Sequence, residues 1–256
     1  EMQRSLVGSE MCIRDRYSAM ALLDLDTAKA KKYTDTKSVK EESGYTSPFC
    51  YPLWPCDRVG EYILAKSAVA GAMVQYMASD NEDVPNQSPS NHLLGVGGQC
   101  LEDGTEVYLD QDQANTVNGY GVTTAINQNG YRLWGNYTGA YPASSDAKDI
   151  WFAVRRMFSW QGNNFIQTYF DEVDDPMNNV LVQSVVDSEN IRCSAYAPKY
   201  WAGASIEYKS DDNPKTAILA GTMKFRQHIA PYTPAQEIVD IIDYDTDTLA
   251  AAVGGN

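Results

Sequence analysis

Histidine is nearly absent from this chain: His92 and His228 are the two in 256 residues. A hydrolytic triad needs an imidazole beside an exposed nucleophile, and no nucleophile-elbow sequence lies near either. Both read as surface or packing residues. Basic residues are also scarce. Twenty Lys and Arg face 34 Asp and Glu, for a formal net charge of −14 and a pI near 4.5. Such a chain has no bulk attraction for nucleic acid or anionic lipid. The five cysteines, Cys12, Cys50, Cys56, Cys100 and Cys193, are too few and too dispersed for a disulfide framework. Cys50 and Cys56 lack the second pair that zinc spacing requires. Synthesis in a reducing cytoplasm fits this usage, so the Asn-x-Ser/Thr triplets at Asn86 and Asn136 read as chance matches. The longest apolar run, Ala68 to Val74, falls far short of the roughly 18 residues that cross a bilayer, and no signal-peptide pattern is present.

Near-misses are equally informative. Gly95-Val96-Gly97-Gly98 is not followed by Lys-Ser/Thr, so it cradles no phosphate. Asp243-x-Asp245-x-Asp247 imitates the start of a calcium loop, but Thr248 and Gly254 stand where that loop needs glycine and glutamate. It reads as a solvated acidic tail. Asp171, Glu172, Asp174 and Asp175 read as a helix-ending turn. The expectation is no catalytic residue, no cofactor and no metal: the chain is not read as an enzyme.

What is there is apolar and aromatic. Forty-three per cent of residues are hydrophobic, enough for a core in one large or two smaller domains, and there are 17 tyrosines and five tryptophans. Tyr and Trp combine contact area with one polar tip, which suits subunit contacts as well as cores. From Tyr17 to Ser47 the chain reads as solvated helix or loop, with a basic patch at Lys29, Lys31, Lys32, Lys37 and Lys40. Phe49 to Trp54 reads as a strand ended by Pro55. Glu61 to Ser79 has one apolar helical side, and Gly71 inside it implies close packing. Leu93 to Val107 and Tyr120 to Asn127 read as short strands. Asn127-Gln128-Asn129-Gly130 is a tight turn into a strand at Tyr131 to Trp134. After a capping run at Tyr141 to Asp146, Ile150, Val154, Phe158, Phe165 and Tyr169 mark one helical face, with Gly162 as a bend or interruption. Met177 to Val186 begins a second helix of about five turns.

The C-terminal run organises the rest. Three strand-like segments, Ala204 to Tyr208, Ala217 to His228 and Gln236 to Tyr244, follow the two helices. The first two read as a hairpin across Ser210 to Pro214. The third follows a stiff spacer containing Pro231 and Pro234. It presents Ile238, Val239, Ile241, Ile242 and Tyr244 with nothing behind it to cover them. Such a strand needs a partner edge, in its own fold or in another subunit.

Several segments, in order, resemble the tail sheath proteins of contractile-tailed bacteriophages and related injection machines. Ser88-Pro89-Ser90-Asn91, after a helix containing Val69-Ala70-Gly71, is similar to the sheath "VAG…SPSN" pattern. Trp134-Gly135-Asn136-Tyr137-Thr138 is similar to "WGNRT", with Tyr137 in place of the usual Arg. Gly221 to Arg226 and Ala230 to Ile238 are similar to the sheath C-terminal domain. Ser5 to Arg16 looks instead like adapter read-through, so residues 1–16 are set aside as a scar and the natural N-terminus is expected to be missing.

The resemblance implies a fold of α/β plus α+β class. A partial α/β domain of subtilisin-like topology spans 17–128. A small α+β domain at 129–235 has two helices on a mostly antiparallel sheet, and an extended C-terminal strand arm and flexible tail follow at 236–256. The family name "subtilisin-like" carries no catalysis. The resemblance further implies a virion protein made in the host bacterial cytoplasm. It polymerises helically with other sheath subunits around the tail tube, meets the baseplate and tail terminator, touches neither nucleic acid nor membrane directly, and contracts to drive the tube through the host envelope. Ile238, Val239, Ile241, Ile242 and Tyr244 are the expected inter-subunit strand. Two other readings stay open: a hydrolase of subtilisin-like topology, and an aromatic-rich adhesion or binding module.

Overall fold

A computed structural model describes residues 17–254; the segment read as a scar lies outside the described residues. The first lobe is built on a strand buried on both faces. Strand β2 (Cys50–Leu53) is fully buried, which is the pattern of a central strand with cover on either side. Strand β1 (Ala21–Asp24) pairs with it in parallel, Ala21 opposite Cys50. On its other side Thr123 N–H donates to Pro52 and Trp54 N–H donates to Thr123, a parallel bridge. From there the chain enters β6 (Thr124–Asn127), turns at Asn129-Gly130 and returns as β7 (Tyr131–Trp134), antiparallel. Residues 91–94 close the far side of β7, with Asn91 N–H on Leu133 and Leu94 N–H on Tyr131. The result is one mixed layer.

Two cores flank it. Trp54, from the end of β2, packs on one side with Leu25, Val39, Leu101, Val117 and Val122, and its indole N–H reaches Ala30 at 2.8 Å. Tyr51 and Leu53 point the other way, to Ala70 and Val74 of α2 (Lys66–Asp80), Leu133 and Phe152. The Tyr51 and Phe152 rings stack at 4.0 Å. Burying each such side chain is worth about 1.5–3 kcal/mol. A three-stranded antiparallel sheet lies beside this layer in the order β4 (Tyr62–Leu64), β3 (Cys56–Val59), β5 (Gly98–Cys100). Where β3 meets α2, Lys66 and Asp57 form a fully buried ion pair.

The second lobe stacks two long helices on a hairpin. Helix α4 (Ala147–Ile150) leads into α5 (Phe152–Thr168), and α6 (Asn179–Ala195) follows, capped by Asn178 on Leu181 N–H. Strands β8 (Trp201–Glu207) and β9 (Arg226–Pro231) pair antiparallel, joined through the short helix α7 (Lys215–Leu219). Trp201, Tyr200, Met157, Cys193 and Val84 make the core. A polar knot pins α5, α6 and β9 together. The Gln161 amide donates to Glu189 (2.6 Å) and Gln227 (2.9 Å), while Arg192 and the Tyr169 hydroxyl also donate to the buried Glu189 carboxylate. Burial and that carboxylate raise the Tyr169 pKa.

Several expectations are corrected. The segment 17–47 is not mainly solvated. It contains β1 and α1 (Thr36–Glu42), and Lys40 of the supposed basic patch is buried, donating to the carbonyls of Tyr120 (2.8 Å) and Tyr141. Residues 111–119 form a helix, α3 (Gln111–Gly119), where polar sequence hid it. Its signal is a capping box, Asp110 accepting from Gln113 N–H with Gln113 reaching back. Residues 62–64 belong to a strand, so the helix begins at Lys66. Gly71 is not forced by close packing, since a Cβ there would meet Leu22 at an ordinary 3.8 Å. Gly162 sits inside an unbroken α5. Residues 217–219 are helical, so β9 starts only at Arg226. The third strand of the C-terminal set is not formed: 232–245 has no regular structure and precedes α8 (Thr246–Ala252).

Lys40 gives a prediction. Burial brings its pKa down from 10.5 to about 8. The folded state then favours the neutral amine more than the unfolded chain does. Stability attributable to Lys40 is greatest above pH 10.5, falls as pH drops towards 8, and is flat below. The difference in Tm between the wild type and Lys40→Met should therefore move in the wild type's favour between pH 8 and 10.5. A pH-independent difference contradicts the burial of this amine.

Candidate inter-subunit surface

Two loops that the sequence singled out meet in space. The Ser88 hydroxyl donates to Asn136, and Gly135 N–H donates to Ser90 (3.1 Å). Gly135 has φ of 153°, and a Cβ there would sit 2.5 Å from the Thr123 hydroxyl and 2.9 Å from the Asn118 side chain, so only glycine fits. Beyond it Phe152 N–H donates to Asn136 and Thr138 N–H to Ile150, fixing where α4 and α5 leave the first lobe. This junction ties the two lobes and is structural.

Tyr137 stands where the sheath pattern has Arg. Its ring stacks on Tyr141 at 3.8 Å and on Trp151 at 5.0 Å. Its hydroxyl donates to the Gln236 side chain at 2.8 Å. Burial, first, and the nearby Tyr141 raise its pKa. The Tyr232 hydroxyl donates to Pro198 at 2.9 Å. These two contacts root the C-terminal arm, and the chain then leaves the body.

Past Gln236 the five residues predicted as an inter-subunit strand are all in solvent: Ile238 is 88 % exposed, Val239 69 %, Ile241 79 %, Ile242 87 % and Tyr244 76 %. The structure does not bring them against any surface of the body, and none is in a strand. Two acids, Asp240 and Asp243, interrupt them; further out, α8 carries Leu249 (49 % exposed) and Val253 (78 % exposed) follows at its end. So many β-branched side chains in water are unfavourable for an isolated chain, and contiguous exposed apolar surface of this kind marks an interaction site. Sequence reasoning missed Tyr137 as the arm's anchor. The aromatic spacing Tyr137, Tyr141, Trp151 was visible, but nothing local joins it to Gln236.

Among the described residues no group of three or more His, Cys, Asp or Glu is placed to hold a metal ion. His228 lies 2.9 Å from Glu207 on an exposed strand, and the Lys209 and His228 hydrogen bonds hold the Glu207 pKa low. Among those residues no helix is long and apolar enough to cross a membrane.

The fold is similar to that of contractile-sheath subunits. The sheath of an extracellular contractile injection system, the PVC sheath complex in its contracted state, superposes with a TM-score of 0.72 over 90% of this chain and 65% of that one, at 18% identity. The anti-feeding prophage baseplate structure gives a TM-score of 0.69 over 89% of this chain and 60% of that one, also at 18% identity. In sequence, the chain is similar to phage tail sheath proteins. It is 27% identical over 197 residues to the major tail sheath protein of Serratia phage KSP20, covering 73% of this chain and 48% of that protein. It is 22% identical over 215 residues to the tail sheath protein of Escherichia phage P2, covering 79% and 52%. No family model matches. The chain thus spans about half the length of the curated relatives it matches.

Proposed function

We propose that this chain is part of the structural subunit of a contractile phage tail sheath. Subunits polymerise helically around a tail tube, held to baseplate and tail terminator, and contract to drive the tube through a host envelope. The observation that supports this best is the unpaired apolar arm at 237–244 on a body with sheath architecture. Donating that arm to a sibling's sheet supplies main-chain hydrogen bonds and pockets for alternate side chains. A head-to-tail contact whose rotation does not close builds an open helix. Rigid bodies threaded by an arm can repack while staying linked, so contraction is a switch between two packings of the same subunits.

The finer assignments belong to the same reading. The first lobe, 17–128, is the back part of an α/β domain of subtilisin-like topology, supported by the parallel run of β1, β2 and Thr123. The α+β domain, 129–235, begins in the β6–β7 turn, so β7 serves both lobes. Residues 236–256 are the arm. The subunit performs no catalysis, takes no cofactor, acts in the virion after synthesis in the host cytoplasm, and contacts neither nucleic acid nor membrane directly. Electron microscopy of the gene product at high concentration tests it. Striated tubes are expected; a monomer at every concentration contradicts it.

A further inference from the structure

One cluster of reactive groups lies outside the surface described above. Lys66 Nζ donates to Asp57 Oδ1, and both side chains are fully buried. Asp57 sits in β3 and Lys66 opens α2, so the contact spans nine residues of chain. As an ion pair it is poorly supported. Asp57 Oδ2 is buried and, among the described residues, has no hydrogen-bond partner, which leaves part of a carboxylate uncompensated. Helix α2 has no acid of its own in its first turn, and a cation at that end is opposed by the helix dipole. A third charge is close. Asp24 Oδ1 accepts from Ser67 N–H at 2.9 Å, and the Asp24 charge acts on both Lys66 and Asp57.

The two partners are pushed towards neutrality. Burial, the largest influence, lowers the Lys66 pKa and raises that of Asp57, against their mutual attraction. Moving one proton from Nζ to the carboxylate turns the pair into an amine in contact with a carboxylic acid. Those are the two halves of an amide. Holding them together in a dry site makes their encounter unimolecular.

We propose that Lys66 and Asp57 condense to an intramolecular isopeptide bond. Lys66 Nζ attacks Asp57 Cγ, and a nitrogen–carbon bond forms. The bond from Cγ to the protonated Oδ2 breaks. Asp24 takes one proton from the attacking amine and passes it to the departing hydroxyl, which leaves as water. Asp24 is half-buried, so it lies on the side from which water can escape. No oxidant or cofactor enters the balance. A neutral amide replaces two buried charges, and the oxygen without a partner is the one lost. The start of α2 is then clamped covalently to β3, whatever the chain assembles into, so the inference is independent of the sheath reading.

The intact mass of the whole chain, measured in denaturant after folding, tests it. Most chains should be lighter than the sequence by one water, and fragmentation should place the loss on residues 57 and 66. Asp57→Asn should reach the same final mass as the wild type, since it gives the same amide by losing ammonia. Lys66→Arg keeps the charge and should retain its full sequence mass. Asn at position 24 can still accept from Ser67 N–H, so Asp24→Asn should leave the Tm close to the parent's while slowing the loss of water by about 100-fold or more, the effect of removing a general base. A folded wild type that keeps its full mass overturns the inference. So does a water loss that survives in Lys66→Arg or maps elsewhere, as a cyclic imide at Asp103-Gly104 would. Should Lys66→Arg fail to fold, different final masses for the wild type and Asp57→Asn overturn it instead.

Discussion

Deleting residues 234–256 is expected to abolish the helical assembly proposed for this chain and to leave the body folded. Within the deleted stretch the arm meets its own body through the exposed Tyr137–Gln236 hydrogen bond, so the Tm should change little, with stability within about 0.5 kcal/mol of the parent. Assembly loses much more. Four or five β-branched and aromatic side chains that go from water into an interface each contribute about 1.5 kcal/mol or more. A critical concentration raised by at least about 100-fold is therefore expected, since each 1.4 kcal/mol is a factor of ten. Sedimentation reads the polymer and calorimetry the body. The double change Ile238→Asp and Ile242→Asp should reproduce the deletion, because the apolar side chains and not mere length are what the interface uses.

Replacing Lys66 by Met destabilises the body by about 3–5 kcal/mol, the range for leaving one partner of a buried ion pair unpaired. Lys66 and Asp57 are both fully buried. Burial pulls the lysine pKa down and pushes the carboxyl up, and their mutual attraction opposes both shifts. Among the described residues one carboxylate oxygen, Asp57 Oδ2, has no hydrogen-bond partner, so Lys66 is what compensates this group. The next residue, Ser67, donates its N–H to Asp24 at 2.9 Å, so the start of α2 is tied at once to β1 and β3. A loss of Tm on the order of 10 °C is expected for a chain of this size. The double variant Lys66→Met with Asp57→Leu should recover most of it, because no charge is then stranded. A single variant as stable as the parent contradicts a buried pair.

The elements legible in the sequence were those with a strong local period or turn chemistry. The Asn129-Gly130 hairpin, the faces of α5 and α6, and β2 before Pro55 stand where residue pattern places them. Misreadings share a cause. Strand β1 is four residues long and half-buried, α3 is polar along most of its length, and Lys40 looks like any surface lysine until Tyr120 and Tyr141, 80 and 101 residues away, close over it. The segment 236–244 shows the converse. Its β-branched composition reads as a strand, yet alone it pairs with nothing, since an extended segment is stabilised by a neighbouring ladder and not by propensity. Within the candidate surface the apolar arm was visible from composition. Its root on Tyr137 depends on a distant contact and was not.

A cryo-electron reconstruction of the assembled particle tests the central claim most directly, through the position of residues 237–244. The account predicts this stretch as a β-strand hydrogen-bonded to a sheet of an adjacent copy. Finding it packed on the body of its own chain, with no contact to a neighbour, would contradict the account.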